Sequence, residues 1–467
     1  MKLSPSAVSS ENLEYEKSSS KWHSFIAESK LLFSLGIPLI LAQLIQMSMG
    51  FVDTIMTGHF SAKDLAAVAI GEKSMIVIIL FGIGTLSATQ VLVAQLQGRN
   101  SEPLKIGFQV GQGIWIGQIY GVIAWVLVRN ILPFLSFLEI NPEVFAIAQD
   151  YMKAFSWGLP AVFLFTSFRG FYEGISISRL TFYFTLTGLL VNIIGNYTLI
   201  FGHFGAPRLG AVGAGWTSAL ANWVMALGVI IYTATQKRFF RYQIFSQLRH
   251  FSWTHIRPVL QIGTPVGVSY FVEVSVFVTA ALMMVRFGTN TLAANQIAMN
   301  YAAFMFMVPL GLGMATVTRV GNALGRGNIP QARLIGWISI GYGGFFMTLS
   351  AITLFLFPEQ IAGIYTNDAM VIKITSGFLM LAGIFQISDG IQVTAGGVLR
   401  GWKDTRFNMI VNLISFWGIG LGSGYYIAFV LDFGAEGLWY GLITGLSIQA
   451  FLLCCRLYYM SHRPLNH

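Results

Sequence analysis

The sequence predicts an all-α polytopic membrane protein: twelve transmembrane helices in two pseudo-symmetric six-helix lobes around a central cavity. Three observations carry that expectation. Composition comes first. Of 467 residues, 55% are apolar and only 10% charged, whereas a soluble domain carries about 25% charged residues. So few charges cannot cover a water-facing surface, and lipid must cover much of it. A span takes roughly 20 apolar residues, which leaves room for about a dozen. The second observation is a repeat at an offset of 227 residues. Gly36-Ile37-Pro38 returns as Gly263-Thr264-Pro265, Leu65-Ala66-Ala67 as Leu292-Ala293-Ala294, Gly98-Arg99 as Gly325-Arg326, and Gly174 and Arg179 as Gly401 and Arg406. Two apolar halves of this kind point to a transporter built from duplicated helical bundles. The third observation is charge placement. With twelve spans and a cytoplasmic N-terminus, Lys63, Arg129, Arg208, Arg286 and Lys373 face outward, and Lys73 and Lys153 lie near span ends. The other 21 of the 28 Lys and Arg face the cytoplasm. This asymmetry is the positive-inside pattern, and it accounts for the net charge of +9 without a nucleic-acid partner.

Residues 1–30 are rich in Ser and Glu and lack an apolar stretch. They read as a disordered cytoplasmic tail, not as a cleavable signal peptide. The N-lobe covers 31–234, with spans expected at 32–57, 66–95, 106–130, 146–172, 181–202 and 211–234. Residues 235–258 form a basic connector. Lys237-Arg238, Arg241, Arg249 and Arg257 are mixed there with Phe, Tyr and Trp, as in an amphipathic segment lying on the inner membrane surface. The C-lobe covers 259–460, with spans at 259–285, 293–319, 334–357, 372–399, 408–430 and 436–459, and a short tail takes 461–467. Six spans per half give both lobes one orientation, related by an axis along the membrane normal. Late in the repeat, Val191-Asn192 matches Val411-Asn412 at an offset of 220, either a shift of register or a chance match. Pro38, Pro265 and Pro309 fall within or at the start of spans, and Pro265 is a candidate hinge. The neighbours Cys454 and Cys455 read as small apolar residues, because adjacent cysteines make a strained disulfide.

No Gly-Lys-Ser/Thr phosphate loop, His-Glu-x-x-His or Gly-x-Ser-x-Gly occurs, so neither ATP use nor hydrolase chemistry has a motif to rest on. Uphill transport then draws on an ion gradient. Most of the 19 acidic residues fall in tails and loops, among them Glu28 and Glu173, and Glu72 sits beside Lys73 where the two pair or stay wet. Asp53, Glu273 and Asp389 lie well inside spans 1, 7 and 10. A carboxylate at that depth costs several kcal/mol unless it faces a polar interior, and it usually serves an ion or a substrate. None is duplicated: at the 227 offset Asp53 faces Ala280, Glu273 faces Gln46, and Asp389 faces Val162. The repeat alone therefore does not require them. Each suits a proton- or Na⁺-binding group for which a cationic substrate competes. Phe277 follows Glu273 by one turn and offers an aromatic face to an organic cation. Met283, Met284, Met299, Met305 and Met307 supply adaptable contacts. Gln43 and Gln46, Asn192 and Asn196, and Gln296 and Asn300 pair on helix faces, where polar groups join helices or line a cavity.

Several motifs in order resemble the multidrug and toxic compound extrusion (MATE) family, of the NorM type. Phe51-Val52-Asp53-Thr54-Ile55-Met56-Thr57-Gly58 and Asp64-Leu65-Ala66-Ala67-Val68-Ala69 look like its first-span signature, and Val93-Ala94-Gln95 with Gly98 like its second-span ending. Phe385-Gln386-Ile387-Ser388-Asp389-Gly390, then Leu399-Arg400-Gly401-Trp402-Lys403-Asp404-Thr405, look like its span 10 and following loop. The resemblance covers about residues 31–460. It implies two six-helix lobes and export of small-molecule cationic drugs and dyes in exchange for Na⁺ or H⁺, with no cofactor beyond that coupling ion. It places ion coupling at Asp53, Glu273 and Asp389, with Na⁺ at the last two, and matches Phe277 and Gln296 to cavity positions. Gln46, Asn192 and Asn196 complete the expected substrate-binding set. Where many relatives carry a polar aromatic one turn before the span-10 acid, this chain has Phe385. The implied home is a bacterial inner membrane with both termini cytoplasmic. The lipid bilayer is the partner, and no obligate protein partner is expected. A flippase of lipid-linked oligosaccharide and a membrane-embedded enzyme are the alternative readings. The first would need cavity Arg or Lys where this chain has acids.

Overall fold

The computed structural model describes residues 5–131 and 141–462, and among them every regular element is helical. Ten helical segments are long and apolar enough to cross a membrane. They are α1 (Pro5–Phe60, apolar from Trp22), α2 (Ala62–Gly98), α3 (Pro103–Ile131), α7 (Ala211–Thr235), α10 (Trp253–Met284), α11 (Thr289–Gly325), α12 (Ile329–Leu356), α14 (Ala369–Gly401), the segment 405–430 and α17 (Ala435–His462). Two further crossings complete the twelve. One is α4 (Pro142–Ser156) with α5 (Leu159–Gly174), broken at Trp157-Gly158 just before Pro160. The other is α6 (Ser178–Leu199), whose Thr and Asn residues dilute its apolar character. The short α8 (Lys237–Phe240), α9 (Ile244–Gln247) and α13 (Pro358–Tyr365) lie between spans. Separate apolar cores fill the two lobes. Tyr151, Leu159 and Phe163 lie in one, and Phe378, Phe416 and Trp439 in the other.

One expectation needs correction and a second needs extending. The backbone of residues 5–30 continues α1 instead of forming a disordered tail. Glu28 is buried and accepts hydrogen bonds from Arg319 Nη2 on α11 at 2.6 Å and from Gln331 Nε2 on α12 at 2.5 Å. Tyr342 donates to the Ser29 hydroxyl, and Trp22 stacks on Phe25, which faces Tyr342. These contacts dock residues 22–29 on the C-lobe. The connector also packs on protein, beyond any contact with a membrane surface. Phe239, Tyr242 and Ile244 are buried against α3 and α5. Gln112 donates to the His250 carbonyl and accepts from the Ser252 amide, and Trp115 donates to the Leu248 carbonyl. Part of the connector's apolar side is spent on the N-lobe, while Phe240, Phe251 and Trp253 stay exposed. Arg238 and Arg241 cover its aromatic rings at 4.7 and 4.9 Å.

The repeat reaches into backbone geometry. Ser176 and Lys403, 227 residues apart, both turn through the left-handed region, at φ 65° and 64°; Asn100 and Gly327 do the same at 50° and 75°. Span 5 starts at Ser178 and span 11 at Thr405, again 227 apart. The match at offset 220 is therefore fortuitous, with Asn192 and Asn412 two turns apart in register. Span 11 departs from its counterpart inside the helix. After α15 (Thr405–Asn412), the backbone is π-helical over Leu413–Leu421, helical in α16 (Gly422–Tyr425) and π-helical over Tyr426–Val430. It lies against α17 so closely that a Cβ on Gly441 would fall 2.3 Å from Gly424 Cα, a small-residue contact of the kind that draws membrane helices together.

The lobes meet at the end that carries Gly98 and Gly325. A Cβ on Gly98 would lie 2.2 Å from the Asn322 carbonyl oxygen, and one on Gly325 would lie 2.3 Å from that of Gln95. Gln95 and Asn322, equivalent in the repeat, each reach into the opposite lobe. Gln95 Nε2 donates to the Gly401 carbonyl at 2.9 Å, and Asn322 Nδ2 donates to Ser176 Oγ at 3.1 Å. Gln90 adds bonds to the Met314 carbonyl and Thr318 Oγ1, and Thr318 donates to the Glu173 carbonyl. Among the described residues, the hydrogen bonds between lobes lie in this basic half.

Candidate functional site

The three buried acids occupy different surroundings. Asp53 on α1 is 5% exposed and held entirely by its own lobe. Its Oδ1 accepts from Asn192 Nδ2 at 2.9 Å and Asn196 Nδ2 at 2.5 Å, and its Oδ2 accepts from Ser218 Oγ on α7 at 2.9 Å. One turn separates the two asparagines on α6, which is why both reach one carboxylate. Every partner is a donor, the set an ionised carboxylate requires. Asn192 and Asn196, expected with the substrate-binding residues, are fully buried with their amides turned to Asp53. Glu72 is half-buried within electrostatic reach of Asp53, while Lys73 is exposed, and no ion pair joins Glu72 and Lys73. The Tyr151 hydroxyl, in the field of both acids, is buried without a hydrogen-bond partner.

The C-lobe acids are less occupied. Glu273 on α10 is half-buried, and among the described residues no side chain bonds or pairs with it. Asp389 on α14 is buried and accepts one bond, from Gln392 Nε2 at 3.1 Å. The two carboxylates lie within electrostatic reach of each other, and Arg400 acts on Glu273 through space. Arg400 forms no ion pair; its Nη1 donates to the Tyr270 hydroxyl at 2.8 Å. The result is a pair of carboxyl groups with spare oxygens. Among the described residues no group of three or more His, Cys, Asp or Glu could hold a metal. Na⁺ would therefore rely on two carboxylates and neutral oxygens. Phe277 is half-buried, its ring 6.0 Å from that of Phe385 and 6.1 Å from that of Phe416. Gln296 is exposed and donates to Asn300 Oδ1 at 3.3 Å.

Gln46 belongs to a cluster that sequence reasoning missed. Arg169 Nε donates to Glu173 Oε1 at 2.6 Å, Nη2 to Gln43 Oε1 at 2.8 Å, and Nη1 to Gln46 Oε1 at 3.4 Å. Arg169 and Glu173 are both buried on α5 where the lobes meet, and Nη2 also lies 3.1 Å from Met314 Sδ of the C-lobe. The spacing of four residues was the available signal.

Known proteins agree with this architecture. The sequence profile described as MatE matches residues 38–198 and again 265–426, the two matches starting 227 residues apart. The chain belongs to the MatE family. As such it is a multi-pass membrane transporter of the multidrug and toxic compound extrusion group, a secondary transporter and not an enzyme. The MatE chain is 38% identical over 439 residues to the "Multidrug resistance protein PmpM" of Pseudomonas aeruginosa, covering 92% of this chain and 91% of that protein. It is 36% identical to the "Probable multidrug resistance protein NorM" of Idiomarina loihiensis, covering 95% and 96%. The fold of the eukaryotic MATE transporter AtDTX14 superposes with a TM-score of 0.84 at 20% identity, covering 93% of this chain and 96% of that one. The Vibrio cholerae MATE transporter VcmN in its bent form superposes with a TM-score of 0.81 at 21% identity, covering 94% and 98%.

Proposed function

We propose that this transporter is a cation-coupled multidrug antiporter that exports cationic, amphipathic drugs and dyes in exchange for Na⁺ or H⁺. The observation that carries the reading is the pair Glu273 and Asp389, absent from the other half of the repeat and left without a cationic partner in contact. A drug cation and a coupling cation have the same use for that charge. Exchange follows because each relieves the same unfavourable buried charge, so occupancy by one disfavours the other. Asp53 assists from the N-lobe, where three donors orient its carboxyl group. The charge distribution supports a cytoplasmic placement of the end with Gly98 and Gly325 and of both termini, in keeping with a bacterial inner membrane. The lobes are joined there, which suits a state that releases its cargo outward. Alternating access then consists of parting the lobes at that end and closing them at the other.

Cells loaded with ethidium test this. Glu273→Gln and Asp389→Asn are each expected to slow dye efflux about tenfold or more at unchanged membrane abundance, by analogy with the loss of a charged group used directly in binding. Efflux at the wild-type rate from either variant would remove the basis of the mechanism. Proteoliposomes under an imposed sodium gradient, then an imposed pH gradient, decide between the two ions.

A further inference from the structure

The polar chain behind Asp389 has a direction. Gln392 Nε2 donates to Asp389 Oδ1 at 3.1 Å. Gln449 Nε2, on α17, donates to Gln392 Oε1 at 3.0 Å and to Asn412 Oδ1. Asn412 Nδ2 donates to the Ser269 carbonyl on α10 at 3.4 Å. Three amides thus join four spans. Gln449 is the pivot: it is fully buried, its NH₂ feeds both neighbours, and its own Oε1 accepts from nothing. A buried acceptor without a donor is costly.

Each of these amides can turn end for end. When a cation covers Asp389, Gln392 gains by offering its Oε1 to the cation, which sends its Nε2 toward Gln449. Gln449 turns in answer, and its idle Oε1 becomes the acceptor. Asn412 must then give its Nδ2 to Gln449. The Ser269 carbonyl, which can only accept, loses its donor. That last link is the longest of those with ordinary geometry, and it sits one turn from Pro265, to whose carbonyl the Ser269 hydroxyl donates at 2.9 Å. The π-helical stretch of span 11 begins immediately after Asn412. We propose that Gln449 is a positioning residue for coupling-cation binding. It aims Gln392 at Asp389 while the site is empty, and passes occupancy on to the contact between Asn412 and Ser269. This rests on the reading of Asp389 as a cation site.

Gln449→Met keeps the side-chain length and removes the amide. Its test is ethidium transport in proteoliposomes, with the cation that drives the wild-type protein titrated as sodium chloride or as an imposed pH step. The half-saturating cation level is expected to rise about tenfold, the usual effect of losing a group that orients a ligand, with the maximal rate little changed. Asn412→Ala should give a similar rise, and the double variant no more than the larger single effect, as for residues acting in one chain. An unmoved half-saturation point in Gln449→Met, or additive shifts in the double variant, overturns the proposal. Should Gln449→Met fail to accumulate in membranes, the shift in Asn412→Ala decides alone. Asp389→Asn separates the two levels of the argument. If it keeps the wild-type cation dependence, the assignment of Asp389 fails and the relay with it. If it loses that dependence while Gln449→Met retains it, only the relay fails.

Discussion

A guanidinium buried at the junction of two lobes has to be matched atom by atom, and Arg169 is. Its nitrogens are divided among Glu173, Gln43, Gln46 and the Met314 sulfur. Removing one member of a buried ion pair costs about 3–5 kcal/mol, because the survivor keeps its charge without a partner. Arg169→Met is expected to lower both membrane yield and the thermal midpoint in detergent. Adding Glu173→Gln should recover much of the loss; an equal deficit in single and double variants would show that packing, not charge, was at stake. This pair escaped the sequence reading because the fourth span was ended at residue 172, which left Glu173 among the loop charges. Asp53, Glu273 and Asp389 were legible for the opposite reason. Each interrupts a long apolar run, and no local pattern explains it. That Asn192 and Asn196 serve Asp53 was not legible, because the α6 pair names its face but not the helix opposite.

Helices proved more continuous than composition suggested. The Ser- and Glu-rich start of the chain argued for disorder, yet it carries no Pro or Gly between Pro5 and Gly36. Tertiary contact supplies the rest: Glu28 meets Arg319 and Gln331, and the aromatic residues meet Tyr342. A hydrogen bond to a charged partner contributes about 1.5–3 kcal/mol. Glu28→Ala is accordingly expected to destabilise the protein by about 2 kcal/mol, read as an earlier unfolding transition in detergent and as faster proteolysis ahead of residue 30. An unchanged transition would show that the aromatic contacts hold this stretch without the carboxylate. The connector teaches the same lesson from the other side. Its aromatic and basic mixture has the composition of a membrane-surface helix, but α3 offers Gln112 and Trp115 to its backbone, and those partners cannot be seen in the connector itself.

For the whole molecule, duplication was the strongest signal, and it held down to the φ angles of matching turns. The same duplication builds the junction at the basic end. Gln95 and Asn322 hold the same place in the two halves, and each crosses to the other half. A typical hydrogen bond contributes about 0.5–1.5 kcal/mol net, so losing both should shift the balance toward the open junction by about tenfold. Gln95→Ala with Asn322→Ala is expected to raise labelling of a cysteine placed at Thr318 by a membrane-impermeant maleimide applied to inside-out vesicles. Labelling equal to that in the background carrying the cysteine alone would show that other contacts keep the junction shut. How far the two bodies lean on each other was beyond the reach of sequence patterns, since the bonds that decide it pair residues more than 140 positions apart.

Several of those crossings end on main-chain oxygen. Gln95 reaches the carbonyl of Gly401, Gln90 that of Met314, and Thr318 that of Glu173. A carbonyl belongs to the backbone and survives most replacements of the side chain beside it. The demands of these bonds are therefore lopsided across the seam: they constrain the giving side chains in kind, whereas on the receiving side they ask only that the chain keep its path, and Glu173 and Met314 are fixed by Arg169 instead.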